Sequence, residues 1–359
     1  IEDIYVQPAL RQDDVADLNV QVTLQNRSNE ARELTLNVVV QGDNFSSSPV
    51  SDAVTCRAEP GENDCTVPLT VEQPRLWTTW DLGDQNLYRA EVSVRDDSVF
   101  QDRERQSFAI RKLEMAMNPG WSPEEVEFPW TVMLNGRRHY MRSACWGGPP
   151  DMFTGRATEA MYREYIRLAK EANINNLRIF CWHPPEIPLF YRLCDEAGIT
   201  VWQDFSLSHY LYPRDRETIE KIFSESIDVV KQIRNNPSVI FLSGGEEILY
   251  TKSDDDSDFF LQLITDLGKA VAPYHEVQWV PTCPLSWPNV QKVFKPRESI
   301  HAHAPHYGAG FTMLEDYYGK LEYAFIPELA ITSCPSAESI RKFIPPDEVW
   351  PPGPSWGYH

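Results

Sequence analysis

The sequence predicts two domains in series, an antiparallel β-sandwich over residues 1–115 and a (β/α)8 barrel over residues 116–359. Three observations carry this reading. Up to about residue 115, apolar and polar residues alternate with the two-residue period of half-buried strands. Beyond the Pro-rich stretch MNPGWSPEEVEFPW the pattern changes to apolar strands alternating with amphipathic helices, the mark of βα units around a parallel sheet. No Gly-x-Gly-x-x-Gly turn follows any of these strands, so a barrel suits them better than a doubly wound sheet.

In chain order, DLNVQVTLQN, RELTLNVVVQG, CTVPLTV, LYRAEVSVRD and RQSFAIRKLEM read as strands separated by Asn, Asp, Gly or Pro turns. That spacing suits a sandwich of about seven strands. Cys56 and Cys65 flank the turn-like RAEPGEND, where a hairpin disulfide is sterically reasonable. In the second domain YMRSACW precedes the helical TEAMYREYIRLAKEAN, and NNLRIFCW precedes IPLFYRLCDEAG. ITVWQDF leads to ETIEKIFSESIDVVKQIRNN, and SVIFLSGG to DSDFFLQLITDLGKAVA. EVQWVPTC, ESIHAHA and EYAFIPE complete seven strands, and SAESIRKF forms a last short helix. No eighth strand is visible, so the barrel is expected to be truncated before it closes.

At 359 residues and 42% hydrophobic, the chain has enough apolar surface for a large core. A formal charge of −20 argues against a surface for nucleic acid or anionic lipid, both of which need clustered Lys and Arg. No apolar run reaches the roughly 18 to 20 residues of a membrane span. The chain begins at Ile1, as a processed product or excised piece would. The sequons at Asn26 and Asn44 do not decide a compartment, with a periplasmic or extracellular one slightly favoured. The acidic run Asp254–Asp258 reads as a solvated helix start rather than a metal site. The cysteines lack the C-x-x-C pairs of a zinc site.

Active sites of such barrels gather at the C-terminal ends of the strands. There the sequence offers Cys145 and Trp146, then Arg178 with Trp182 and His183, then Asp204, Glu246 and Glu247, His301 and His303, and Glu328. Two carboxylates on opposite strand ends are what glycoside hydrolysis requires, one to protonate the leaving oxygen and one to stay ionised. Gly244 and Gly245 would let backbone and sugar approach closely. Trp146 and Trp182, and less so Trp202 and Trp287, are candidate platforms for sugar stacking. His183, His301, His303 and His306 read as polar pocket residues rather than metal ligands, although His-Ala-His on a strand shares one face. Asp204 is expected either to bind sugar hydroxyls or to position Arg178. Asp195 and Glu196 are read as surface or packing residues.

These segments resemble glycoside hydrolase family 2, and its β-mannosidase branch in particular. LWTTWDLGDQNLY resembles the tryptophan-rich strand entry of that family's immunoglobulin-like sandwich, and FAIRKLE its exit toward a TIM barrel. LNGRRHYMRSACWGGPPDMFTGR is similar to the first barrel strand with its Asn-Gly hairpin. NNLRIFCWHPPEIPLFYRLCDEAGITVWQDF carries the strongest likeness, and VWQDF followed by YLYP points to the mannosidase side. NPSVIFLSGGEE is similar to the acid/base motif, which implies Glu247 as general acid/base, and YAFIPELAITSCPS to the nucleophile motif, which implies Glu328.

The resemblance further implies a retaining mechanism, with the two carboxyl groups roughly 5 to 5.5 Å apart. It places Arg178 beside Glu328, keeping it ionised. Two residues depart from the family pattern: Leu242 stands where Trp is usual, and Glu246 where an Asn usually contacts the sugar 2-hydroxyl. The resulting expectation is a retaining β-glycosidase with a carbohydrate substrate and no cofactor. A catalytically weak or inactive carbohydrate-binding barrel is the alternative.

Overall fold

Alternation in the first domain resolves into seven strands in two sheets. β1 (Asp3–Leu10), β2 (Val15–Asn26) and β5 (Gly61–Glu72) form one sheet; β4 (Val50–Ala58), β3 (Arg32–Gly42), β6 (Tyr88–Asp96) and β7 (Val99–Phe108) form the other in that order. The computed structural model describes residues 1–11, 14–96, 99–148, 154–208, 211–249, 254–286, 294–303, 319–330 and 335–358. Inward positions two residues apart, such as Val20 and Val22, Leu36 and Val38, and Val67, lose all contact with solvent and fill the space between the sheets.

Two strands escaped the sequence pattern. β1 lies at a sheet edge, where Pro8 costs little because that side needs no N–H donor. β4 is an edge strand exposed over most of its length, so it shows no apolar alternation. Between β4 and β5 the chain crosses from one sheet to the other. Cys56 and Cys65 are indeed disulfide-linked, with Cα atoms 6.4 Å apart, but the bond fastens two sheet edges rather than a hairpin.

RQSFAIRKLEM is not one strand. β7 ends at Phe108, Ile110 bridges to Leu76, and β8 (Leu113–Ala116) starts a separate sheet with β9 (Thr131–Leu134) and β10 (Arg137–His139). This small sheet lies across position 115, the expected domain boundary. The β9–β10 hairpin turns on Asn135 and Gly136, whose φ angles of 51° and 75° suit the left-handed turn that Asn-Gly favours.

The barrel strands follow as the sequence predicts. β11 (Ser143–Trp146), β12 (Asn176–Ile179), β13 (Thr200–Asp204), β14 (Val239–Ser243) and β15 (Gln278–Val280) form one parallel sheet. β16 (Ser299–His303) and β17 (Phe325–Ala330) form a parallel pair.

Local chemistry sets the helices. In α1 (Glu159–Glu171) the Thr158 hydroxyl accepts from the Met161 N–H, and Tyr162, Ile166 and Ala169 form a buried stripe. α2 (Pro188–Ala197) opens on Pro and ends on left-handed Gly198, and α3 (Arg216–Ile233) is capped by Asp215. The acidic run begins α4 (Asp254–Val271), and Arg214 pairs with Asp255 at 2.8 Å and Asp256 at 2.5 Å. The helices pack on the outer face of the sheet, while Trp130, Trp202, Phe241, Cys283 and Leu285 cluster on its inner side.

Candidate active site

Cys145, Arg178, Trp202 and Phe241 are successive partners across β11 to β14, so they share the inner face. Asp204, two residues beyond Trp202, lies on that face one layer nearer the C-terminal ends. Arg178 donates from Nη2 to Asp204 Oδ2 at 2.7 Å and from Nε to the same oxygen at 3.1 Å. Its Nη1 donates to Glu328 Oε2 at 3.3 Å. The Trp202 indole donates to Asp204 Oδ1 at 2.7 Å. Asp204 thus meets Arg178 directly, the contact that the second of its two expected roles requires.

Arg178 and Asp204 are both buried, and Glu328 retains 18% side-chain exposure. Burial pushes the Asp204 carboxyl above its ordinary value while Arg178 pulls it back. Burial is the largest influence on Arg178 and opposes its charge, but Asp204 and the other acidic groups around it, Glu246 among them, together outweigh burial and hold the guanidinium pKa well above its usual value.

Glu246 joins this cluster. It is 7% exposed, and the Cys181 thiol donates to its Oε2 at 3.2 Å. Burial first, and then a hydrogen bond with Glu328, pushes its carboxyl up to about 8 against the pull of Arg178. Glu246 therefore holds a proton at neutral pH that it shares with Glu328. Cys145 is exposed by surface area, yet the close packing around its thiol, and after it the neighbouring acids against the pull of Arg178, raise it above its ordinary value, so it stays protonated.

The SGGEE corner explains its glycines, and corrects the expected reason for them. A Cβ on Gly244 would sit 2.3 Å from the Pro281 carbonyl, and one on Gly245 2.3 Å from the Leu207 carbonyl. Gly245 also has φ +135°. The glycines therefore admit neighbouring protein backbone rather than a sugar. Glu246 N donates to Leu207 O at 2.9 Å and Glu247 N to Cys283 O at 2.7 Å, so the corner is stitched to loops on both sides. Glu247 has φ 51°, a left-handed conformation uncommon for Glu, and is half-buried.

The other candidates divide. Trp182 is 60% exposed, and its indole donates to Ser208 Oγ at 3.0 Å, which leaves a ring face open to solvent. Trp146 is not a platform. It alternates outward from Cys145, is 5% exposed among Tyr162 and Phe190, and donates to Glu186 Oε1 at 2.8 Å. Trp202 lies inside the barrel, its ring stacked on Phe325 at 5.6 Å. His183 is buried, with Nδ1 2.6 Å from Pro184 O and Nε2 3.6 Å from Glu186 Oε1.

His301 pairs in backbone register with Glu328. The side chains of His301 and His303, together with Trp287 and His306, lie outside the described residues. Sequence reasoning missed Glu186, which is buried and accepts from Trp146 and from the Tyr162 hydroxyl at 2.6 Å. A Glu in a Pro-rich loop carries no pattern that would reveal it. Asp195, read as a surface or packing residue, is buried and accepts from Asn236 Nδ2 at 2.6 Å and Ser238 N at 3.0 Å, with burial pushing it up to about 7.

A β-sandwich leading into a barrel, with an Arg-bridged carboxylate cluster at the strand ends, is an architecture that gathers acids where barrel enzymes place their sites. The profile of glycosyl hydrolases family 2 matches residues 1–111, and that of the family 2 TIM barrel domain matches residues 131–267. The chain belongs to glycosyl hydrolase family 2.

It is similar to β-mannosidase B of Thermothelomyces thermophilus, 31% identical over 195 residues that cover 54% of this chain and 22% of the relative. β-Mannosidase of Bos taurus is 28% identical over 190 residues, 52% of this chain and 21% of that one. The matches thus span about a fifth of the length of these curated relatives. Among solved structures, β-D-mannosidase from Dictyoglomus thermophilum superposes with a TM-score of 0.79 at 24% identity, covering 97% of this chain and 42% of that chain. The exo-chitosanase of Amycolatopsis orientalis shares the fold with a TM-score of 0.70 at 16% identity, covering 96% and 39%.

Proposed function

We propose that this chain carries the catalytic centre of a retaining β-glycosidase acting on β-mannosides. The observation that carries the reading is the Arg178 fork, which binds Asp204 on one side and Glu328 on the other. A cation so placed keeps a carboxylate ionised and fit to attack an anomeric carbon. Relatives named β-mannosidase support the choice of sugar. Trp182 offers its exposed ring to the sugar's C–H face.

In this mechanism Glu328 forms the glycosyl-enzyme intermediate. Glu247 protonates the leaving oxygen and then takes a proton from the attacking water. Glu246 is the less suitable donor. Hydrogen-bonded carboxyls leave no room between them for the anomeric carbon and leaving oxygen, whereas a retaining pair stands roughly 5 to 5.5 Å apart.

The same contact favours a second reading, a weak or inactive sugar-binding barrel, because Glu246 contacts the carboxylate that must attack. A panel of aryl β-glycosides (mannoside, glucosaminide, galactoside, glucuronide) given to the full-length protein separates the two. The enzyme reading expects turnover of the mannoside, reduced at least about 10³-fold by Glu328→Gln. It also expects Glu247→Gln to slow poor leaving groups more than good ones. Absence of turnover from a folded protein that still binds mannosides would establish the second reading.

A further inference from the structure

A cleft of about 310 Å³ opens between the sandwich and the face of the barrel opposite the carboxylate cluster. Pro237 and Val239, at the entry to β14, and His275 to Val277, just before β15, place it at the N-terminal ends of the strands. Tyr5 and Arg111 come to it from the sandwich side, Arg234 and His275 from the barrel.

Its walls hold unused polar atoms, two of them guanidinium donors and two the nitrogens of His275, which burial keeps neutral with one N–H to give. Arg111 Nη1, Arg234 Nε and both ring nitrogens of His275 are buried without a hydrogen-bond partner. They are half of the eight such side-chain atoms among the described residues, so their gathering in one cleft calls for an explanation. Each guanidinium has only part of its fork engaged. Arg111 donates from Nη2 to Val239 O at 2.6 Å, and Arg234 bonds Asp3 through Nη2 while lying 4.1 Å from the Tyr5 ring centroid.

The charge balance points the same way. Among the described residues Arg111 has no carboxylate within ion-pair distance, and burial pushes its pKa down to about 10. Of the two acids that act on Arg111, Asp195 and then Glu276, Asp195 is pushed up to about 7 by its own burial and so supplies only part of a negative charge near neutrality. Lys112 adds a further cation to the wall, already paired with Glu114 at 2.8 Å, and the exposed Glu276 is the one acid lining the cleft. Water satisfies neutral donors but leaves a buried guanidinium uncompensated, whereas an oxyanion supplies both acceptors and charge.

We propose that this cleft binds a small oxyanion, a phosphate or carboxylate group, held by Arg111, Arg234 and His275 between the sandwich and the barrel. The ligand joins side chains from both domains and lies away from the sugar site, so its binding does not depend on catalysis.

Isothermal titration of the full-length protein with inorganic phosphate, and separately with acetate, tests it at an ionic strength held constant with chloride. The expected result is saturable binding of at least one of the two at one site per chain, and the one that binds assigns the class. His275→Phe should weaken that binding at least about tenfold, the worth of one hydrogen bond to a charged group. Neither ring nitrogen of His275 has a well-formed hydrogen bond, and its weak interaction is with the Val277 backbone, so this variant loses little and is expected to fold. Arg111→Met should abolish binding. Absence of saturable binding by either anion overturns the proposal, as does affinity unchanged in folded His275→Phe; water alone then fills the cleft.

Discussion

Glu246 shows how one residue can shape the pH response of the whole site. Its carboxyl has an ordinary value of 4.5 when free and one of about 8 in the folded chain, chiefly through burial and then through Glu328. Between those values the folded state binds the extra proton, so the stability this group contributes is full below about pH 4.5 and lost as the pH rises through about 8. Glu246→Gln keeps a hydrogen-bond donor toward Glu328 without the ionisation. Its stability should equal that of the parent near about pH 4 and exceed it by about 5 kcal/mol near about pH 9, measured by urea unfolding across pH. Parallel curves for the two proteins would mean that Glu246 ionises normally in the fold. Arg178, Asp204, Glu246 and Glu328 were all readable as strand-end polar residues, because barrel geometry sends such positions to one mouth. Their mutual contacts were not readable, since Asp204 meets Arg178 and Glu246 meets Glu328 only through strands far apart in sequence. Trp146 misled for a simpler reason: a strand's last residue points inward or outward according to register, which the sequence leaves open.

At the scale of elements, the corner after β14 is the tightest constraint on the site. Two strand-following loops close on it from either side, with carbonyls 2.3 Å from where Cβ atoms of Gly244 and Gly245 would stand. Gly245→Ala adds a methyl group against Leu207 O in a backbone region that L-residues rarely adopt. A loss of about 2–4 kcal/mol is expected from strain and displacement together. Because Glu246 follows directly, the mannoside turnover proposed above should, if the enzyme reading holds, fall more steeply than stability predicts. Thermal unfolding and steady-state kinetics on the same preparation check both, and a variant with parental stability would show that the corner has room. The seven barrel strands were legible because βα alternation is a strong signal, and the Asn135-Gly136 hairpin because its turn chemistry is distinctive. β1 and β4 were not, since edge strands need bury only part of one face and so lack a full alternating pattern.

For the whole molecule, the decisive contact is the one that fixes the sandwich to the barrel. The segment LWTTWD reads in sequence as a strand entry, yet it docks the first domain on the second. Trp77 is fully buried, and its indole donates to the Asp195 carbonyl at 2.9 Å, while the Trp80 indole donates to the Ile174 carbonyl at 3.1 Å. Asp81 adds an ion pair with Arg142 at 2.9 Å and accepts from Asn175 at 3.0 Å. No periodicity marks such a segment, because its partners belong to another domain and its own backbone is irregular. Trp77→Ala removes the largest apolar group at the joint, for an expected cost of about 3–5 kcal/mol. Trp77→Phe keeps most of that packing and strands one buried carbonyl, for about 1–2 kcal/mol. If the joint couples the two domains, scanning calorimetry of the parent shows one transition. Trp77→Ala should then split it, because a domain that loses its partner surface melts on its own terms. A single transition merely shifted downward would place the coupling elsewhere, in the pair of Arg234 with Asp3 and the bonds of Asn235 to Val6 N and Ile4 O.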